Sequence, residues 1–170
     1  PLILAIELDS IDLVTTILEF SPDLDTTAWN DRSSIWLRAK IRNIPEILAA
    51  IESHGAEVDT DTAVSHACET GNTELLQRLL DEDCSADGGD WGEPPLITAA
   101  LHGHKEIIDM LLGKGANIQS VKYGQSTHIA AVAKGHVEVA QHLAAKGAQV
   151  DDIGSLIFAC SYGNPEAVES

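Results

Sequence analysis

The stretch from Pro94 to Gly115, PPLITAALHGHKEIIDMLLGKG, decides the fold of this chain. It begins with small apolar residues at helical spacing, and Gly103 follows where a residue in the left-handed region would end a short helix. Residues 107–112 then repeat with the spacing of a second amphipathic helix, which Gly115 closes. Two helices this short cannot bury both of their faces against each other. The sequence therefore predicts that several such helix pairs stack.

Relatives of this unit recur along the whole chain. The acidic residue that opens the second helix returns at intervals of 34, 28, 32, 32 and 28 residues, as Asp12, Glu46, Glu74, Glu106, Glu138 and Glu166. Pro45 and Pro165 each precede such an acid, at the first helical position, where the missing N–H of proline costs nothing. We predict one array over 1–170, a segment of a longer protein, with repeats at approximately 1–25, 26–59, 60–87, 88–119, 120–151 and 152–170. The first and last repeats are incomplete.

The repeating unit resembles an ankyrin repeat. The resemblance rests on the Pro95-Leu96 start, the alanine pair, the Gly103-His104 corner, an acid followed by apolar residues, and a Leu-Leu-x-x-Gly-Ala end. It implies an all-α solenoid of stacked antiparallel helix pairs with short β-hairpin fingers. It also implies a protein–protein interaction module or scaffold, rather than an enzyme. Such arrays bind a partner protein through the fingers and the concave face of the first helix of each repeat.

We call that first helix the inner helix and the second the outer helix. The inner-helix face consists of the fourth, seventh and eighth positions after each inner-helix cap, which we expect to be exposed. Its candidate partner-binding residues are Arg38, Arg42, His66, Glu69, Thr98, Leu101, His102, Lys134, Phe158 and Tyr162. The same register adds Leu4, Glu7, Leu8, Ile41, Thr70, Ala130, Ala133 and Ser161.

The charge of this face differs from that of the chain. The chain carries −17, from 27 acidic and 10 basic residues, whereas the face is near neutral to slightly basic. This contrast favours a protein segment with acidic residues near Arg38 and Arg42. The alternative is that these positions are solvated and have no partner.

The fingers supply a second set of candidates. Trp29, Trp91 and Tyr123 fall at equivalent finger positions and would make good binding anchors. Packing between the fingers is the alternative role for these rings. Deletions shorten the connections after repeats 2 and 5, so we expect long fingers only at 26–33, 88–93 and 120–125.

Several positions depart from the family pattern. Lys40 occupies the place of a packed alanine, so its ammonium must reach solvent or a carboxylate. Trp36 and His128 stand where leucine is usual. The histidine of the family's Thr-Pro-Leu-His start is absent from every repeat, which puts the rigidity of the fingers in question.

Composition narrows the class of protein. With 44% hydrophobic and only 4% aromatic residues, the core should consist of Ala, Leu, Ile and Val. The negative charge argues against nucleic acid as a partner. No run approaches the roughly 18 apolar residues of a membrane span. Cys68, Cys84 and Cys160 are too few for a disulfide framework, so we expect an intracellular protein, in the cytoplasm or the nucleus.

Two alternative functions remain open at this point. His66 and His102 project from adjacent inner helices, so an enzyme or small-ligand site could lie between them, with a metal ion or a general base. The chain could also dock onto other domains of its own parent protein. A calcium loop starting at Asp83 fails, because Pro94 stands at the position of the bidentate glutamate. We predict no cofactor and no metal.

Overall fold

A computed structural model describes residues 2–20, 35–54, 60–89 and 92–150. The chain divides into two compact units, residues 1–63 and 64–170. Phe158, Tyr162, Trp29 and Trp91 lie outside the described residues, as do the second repeat's N-terminal cap and the whole of repeat 6.

The first unit contains two helix pairs. Its helices are α1 (Leu2–Glu7), α2 (Ile11–Phe20), α3 (Ile35–Arg42) and α4 (Pro45–Ser53). Inner helix α1 packs on inner helix α3, and outer helix α2 packs on outer helix α4. Pro45 is the first residue of α4, as its position before an acid predicted.

The second unit continues the same order of elements. They are α5 (Thr60–Thr70), which begins before the division, α6 (Thr73–Asp81), α7 (Pro95–His102), α8 (Lys105–Gly113), β1 (Val121–Lys122), β2 (Gln125–Ser126), α9 (Thr127–Ala133) and α10 (Val137–Ala145). Inner helix α7 packs on α9, and outer helix α6 packs on α8. The predicted all-α arrangement of stacked helix pairs with short β-hairpin fingers is therefore confirmed.

Each inner helix ends in a residue with positive φ, which reverses the chain into the outer helix. In the second unit these residues are Gly71, Gly103 and Gly135, with φ between 72° and 79°. In the first unit they are Asp9 (φ 52°) and Asn43 (φ 57°). Aspartate and asparagine tolerate this region better than other residues with a Cβ, but less well than glycine.

The core is built from small aliphatic side chains, as the composition predicted. Ala39, Ala67, Ala99 and Ala131 are completely buried on the inner helices. Four larger or more polar side chains replace the usual residues and are also buried, namely Trp36, Lys40, Cys68 and His128. Helix pairs can approach closely because most of the residues between them are short.

The finger at 120–125 forms a β-hairpin. Val121 pairs with Ser126 and Lys122 with Gln125, in antiparallel register. The two turn residues, Tyr123 (φ 52°) and Gly124 (φ 77°), both have positive φ, which is the signature of a type I′ turn. None of the described helices is long and apolar enough to cross a membrane.

Candidate protein-binding surfaces

The two arginines of the inner-helix face in the first unit are paired with carboxylates of the preceding repeat. Arg38 Nη1 donates to Glu7 Oε1 over 3.0 Å. Arg42 donates through Nε to Asp9 Oδ1 over 2.8 Å and through Nη2 to Asp9 Oδ2 over 2.5 Å, a bidentate arrangement. These hydrogen bonds hold the pKa of Asp9 below its usual range and raise the pKa of Arg42.

This pairing gives both arginines partners within their own unit. The sequence predicted that Arg38 and Arg42 would meet acidic residues of a partner, but Glu7 and Asp9 of the same unit already hold both guanidinium groups. The sequence reasoning did not find Asp9. The sequence does contain a signal for these pairs. Arg38 follows Glu7 by 31 residues and Arg42 follows Asp9 by 33, and both separations are close to the length of one repeat.

Lys40 lies beside Trp36, one helical turn earlier on α3. Its side chain is buried, and its ammonium lies over the ring of Trp36, 5.5 Å from the centroid. The indole Nε1 donates to Glu52 Oε1 over 2.7 Å. A cation–π contact thus accommodates a charged residue where the family packs an alanine.

The inner-helix face of the second unit is a mixed polar and apolar surface. Thr98, Leu101 and His66 are partly exposed, and Glu69, His102 and Lys134 are exposed. The expected exposure was wrong for two positions of α9. Ala130 and Ala133 are 0% and 1% exposed, because their methyl groups are short enough to be enclosed by the packed helices. In this repeat, the exposed residue of the face is therefore Lys134, the C-cap of α9.

The histidines on this face are oriented by local contacts. His102 Nδ1 lies 2.9 Å from the carbonyl oxygen of Thr98 in its own helix, and the ring stacks on His104 with centroids 6.2 Å apart. Within the described ranges, no group of three or more His, Cys, Asp or Glu residues could hold a metal ion. The described residues therefore form no three-ligand metal site around His66 and His102.

The corner histidines join successive repeats. His104 Nε2 lies 3.1 Å from the carbonyl oxygen of Glu69, and His136 Nε2 lies 3.0 Å from that of Leu101. Each ring also rests on the corner glycine one repeat earlier. A Cβ on Gly71 would approach the His104 ring to 2.7 Å, and one on Gly103 would approach the His136 ring to 2.8 Å. Glycine is thus required at these corners both for φ and for space.

Tyr123, at the turn of the hairpin, has the most exposed aromatic side chain among the described residues. Tyr123 is 92% exposed, and Val121 beside it is 59% exposed. Lys122 Nζ donates to the carbonyl oxygen of Gly92 over 2.6 Å and lies 5.6 Å from the centroid of the Tyr123 ring. The hairpin is thereby connected to the preceding finger. The sequence reasoning found Tyr123 but did not single out Val121.

Polar side chains at the base of the fingers connect successive repeats. Asp87 Oδ1 accepts from the backbone N–H of Asn117 over 2.7 Å. Gln119 donates to the carbonyl oxygen of Gly147 over 2.8 Å and accepts from the N–H of Gln149 over 3.0 Å. These contacts connect the finger bases of successive repeats through hydrogen bonds. Sequence reasoning missed them, although both residues occupy the same position after the outer helix.

Comparisons with protein families and with solved structures both find ankyrin repeats. The family described as ankyrin repeats, in three copies, matches residues 35–122, which is more than half of the chain. The solved ankyrin repeat domain of Bcl-3, whose title calls it a unique member of the IkappaB protein family, superposes with a TM-score of 0.61 at 25% identity. That match covers 88% of this chain and 70% of the Bcl-3 chain. No curated protein sequence matches.

Proposed function

Because the chain belongs to the ankyrin repeat family, whose repeats generally serve as protein–protein interaction modules, we propose that it binds a partner protein through its second unit. The proposed surface consists of the inner-helix face around Thr98, Leu101 and His102 together with the finger tip at Tyr123. The partner is a separate protein or another domain of the same parent chain, and the location is intracellular.

The observation that carries this proposal is the exposure of Tyr123. Its ring is 92% exposed, so it gains little from packing, although the residue occupies a positive φ of 52° that is unfavourable for a bulky side chain. An exposed aromatic ring on a short, hydrogen-bonded turn is suited to anchor a partner, because little conformational entropy is lost when it binds.

The inner-helix face supplies the chemistry that surrounds such an anchor. Leu101 offers partly exposed apolar area, and Thr98 and His102 offer polar groups on the same helix. Glu69 and Lys134 add opposite charges on neighbouring inner helices. This combination suits a partner segment with an apolar residue flanked by polar groups.

The first unit has a smaller role in this proposal. A partner carboxylate would have to displace Glu7 or Asp9 from the arginines, and exchanging one exposed ion pair for another gains little free energy. We therefore assign Arg38 and Arg42 chiefly to the packing of their own unit.

Two double variants test the proposal. Leu101→Ala with Tyr123→Ala removes the apolar anchors, whereas Glu106→Ala with Gln141→Ala removes exposed side chains from outer helices. Proteins captured by the wild-type chain from an extract of its source cells are identified by mass spectrometry, and their dissociation constants are measured by calorimetry with each variant. We expect the first pair to weaken binding about 30-fold or more and the second pair to change it less than about threefold. Equal losses in both variants would refute the assignment.

A further inference from the structure

His102 presents a hydrogen-bond acceptor on the inner-helix face of repeat 4. Its Nδ1 lies 2.9 Å from the carbonyl oxygen of Thr98, one turn earlier on α7. Because a carbonyl oxygen only accepts, Nδ1 must carry the proton of this hydrogen bond. In a neutral imidazole the other nitrogen, Nε2, then keeps its lone pair. The side chain is exposed, so Nε2 is an acceptor that a partner can reach.

Thr70 occupies the equivalent position in repeat 3 and has the same polarity. Its Oγ1 donates to the carbonyl oxygen of His66 over 2.7 Å, again one turn earlier on the same helix, α5. The hydroxyl proton is used in this bond, so the lone pairs of Oγ1 remain for a ligand. Thr70 is exposed, as His102 is. Both residues therefore use their donor within their own helix and keep an acceptor on an exposed side chain.

The corner of repeat 4 brings these two side chains close to each other. His104 Nε2 lies 3.1 Å from the carbonyl oxygen of Glu69, the residue before Thr70. The ring of His104 stacks in turn on that of His102, with an angle of 8° between the planes. Glu69 is exposed, and a carboxylate only accepts. Glu69, Thr70 and His102 thus form one surface of acceptors, which we call the acceptor patch.

The acceptor patch has a boundary and a favourable field. In repeat 5 the position of Thr70 and His102 is held by Lys134, whose ammonium group only donates. The patch therefore belongs to repeats 3 and 4 and lies next to Leu101 on the inner-helix face. The chain as a whole carries −17, so its field attracts cations rather than anions.

We propose that the acceptor patch binds a cationic side chain of the partner, an arginine or a lysine. This inference rests on the proposed function, since the cation is carried by the same segment that contacts Leu101 and Tyr123. Guanidinium and ammonium groups have several N–H donors and no acceptor, which complements the patch. Their hydrogen bonds to a carboxylate are stronger than those between neutral groups. The partner segment is thus basic, because an acidic one would place acceptors against acceptors.

The test uses a phage-displayed library of random dodecapeptides, which requires no knowledge of the natural partner. Peptides are selected on the wild-type chain and counter-selected on the chain with Leu101→Ala and Tyr123→Ala. We expect the enriched peptides to share an arginine or a lysine near an apolar residue. Synthetic peptides with that basic residue replaced by alanine should bind about tenfold more weakly or worse. Exchanging arginine and lysine in the peptides shows which cation the patch prefers.

His102 allows the polarity of the patch to be reversed. His102→Lys replaces the acceptor with donors at a helix C-terminus, where a cation is tolerated, and it should weaken the basic peptides about tenfold or more. Glu69→Gln should weaken them about threefold or more. Gln141→Lys adds the same charge at an exposed position of outer helix α10 and should change binding less than about twofold. Circular dichroism shows that each variant is folded.

Three results would overturn this proposal and leave the proposed function standing. One is a set of enriched peptides that need Leu101 and Tyr123 but carry no arginine or lysine. Another is binding to His102→Lys that is as tight as to wild type or tighter. The third is a set of imidazole ¹⁵N chemical shifts, at about pH 8, that place the His102 proton on Nε2 in the free chain. A library without any peptide that depends on Leu101 and Tyr123 would instead contradict the proposed function, and this proposal with it.

Discussion

In the first unit, exposed ion pairs join the inner helices α1 and α3, with Arg38 on Glu7 and Arg42 on Asp9. In the second unit, the corner histidines His104 and His136 connect inner helices by lying on a glycine and a carbonyl oxygen of the preceding repeat. Successive inner helices are thus joined by contact ion pairs in the first unit and by histidine rings packed on glycines in the second.

The difference bears on which region can present a fixed surface. Exposed ion pairs typically stabilise by about 0–1 kcal/mol and weaken with salt. A ring packed on a glycine with a hydrogen bond to a carbonyl oxygen leaves few alternative arrangements. We therefore expect the second unit to be the more rigid one, which agrees with its proposed role in binding.

Adding one methyl group at a corner should have the largest effect. Gly103→Ala places a Cβ 2.8 Å from the His136 ring at φ 77°. Strain and overpacking together should lower the free energy of unfolding by about 2–4 kcal/mol, measured by denaturant titration. Gly115→Ala is the matched control, because its φ is 91° and no atom lies within 4 Å. It should cost only the strain, about 1–2 kcal/mol, and equal losses at both sites would exclude a packing role for the corner.

Removing the corner ring should have the next largest effect. His136→Ala leaves the carbonyl oxygen of Leu101 without its 3.0 Å partner and opens space beside Gly103. We expect a loss of about 1–3 kcal/mol in the free energy of unfolding. In the double variant with Gly103→Ala, the new Cβ no longer meets the His136 ring. The loss of unfolding free energy in the double variant should therefore be smaller than the sum of the two single-variant losses. Strict additivity would show that the two residues act independently.

The ion pairs of the first unit should be weaker and should depend on salt. Arg42→Gln removes the bidentate contact with Asp9. Its melting temperature should fall by less than that of His136→Ala, and the difference from wild type should largely vanish in 1 M salt. A loss that persists at high salt would mean that packing of the arginine stem dominates.

Acid should produce the smallest effect. Hydrogen bonds from His142 and, to a smaller extent, from Lys146 hold the pKa of Asp109 below its usual value of 3.8. The pKa of Asp9 is lowered by Arg42. A carboxylate with a lowered folded-state pKa stabilises the fold above its unfolded-state pKa, and this contribution is lost as pH falls through the folded-state pKa. Between pH 5 and pH 2, Asp109→Asn and Asp9→Asn should therefore each show a smaller fall in melting temperature than wild type. Unchanged curves would argue against folded-state pairing.

The sequence was sufficient for features encoded by a few adjacent residues. Gly103 at the helix end and Pro45 at the helix start were predictable, because each has a local backbone preference that no neighbour overrides. The hairpin at 120–125 was predictable for the same reason, since Gly124 favours the turn.

Features that depend on the distance between stacked repeats were not predictable. The pairing of Arg42 with Asp9 spans 33 residues, and the contact of Gln119 with Gln149 spans 30. Whether such side chains meet depends on the offset of one helix pair against the next, which spacing in sequence does not determine. The burial of Ala133 was missed because it depends on how closely helices approach.

The most direct test of the proposed function is site-specific photo-crosslinking. A benzophenone side chain is placed at His102 or Tyr123 on the proposed surface, or at Glu106 or Gln141 on the outer helices, all of which are exposed. After irradiation in an extract of the source cells, His102 and Tyr123 should crosslink to the same partner protein, whereas the outer-helix positions should not. A partner crosslinked only from Glu106 or Gln141 would contradict it.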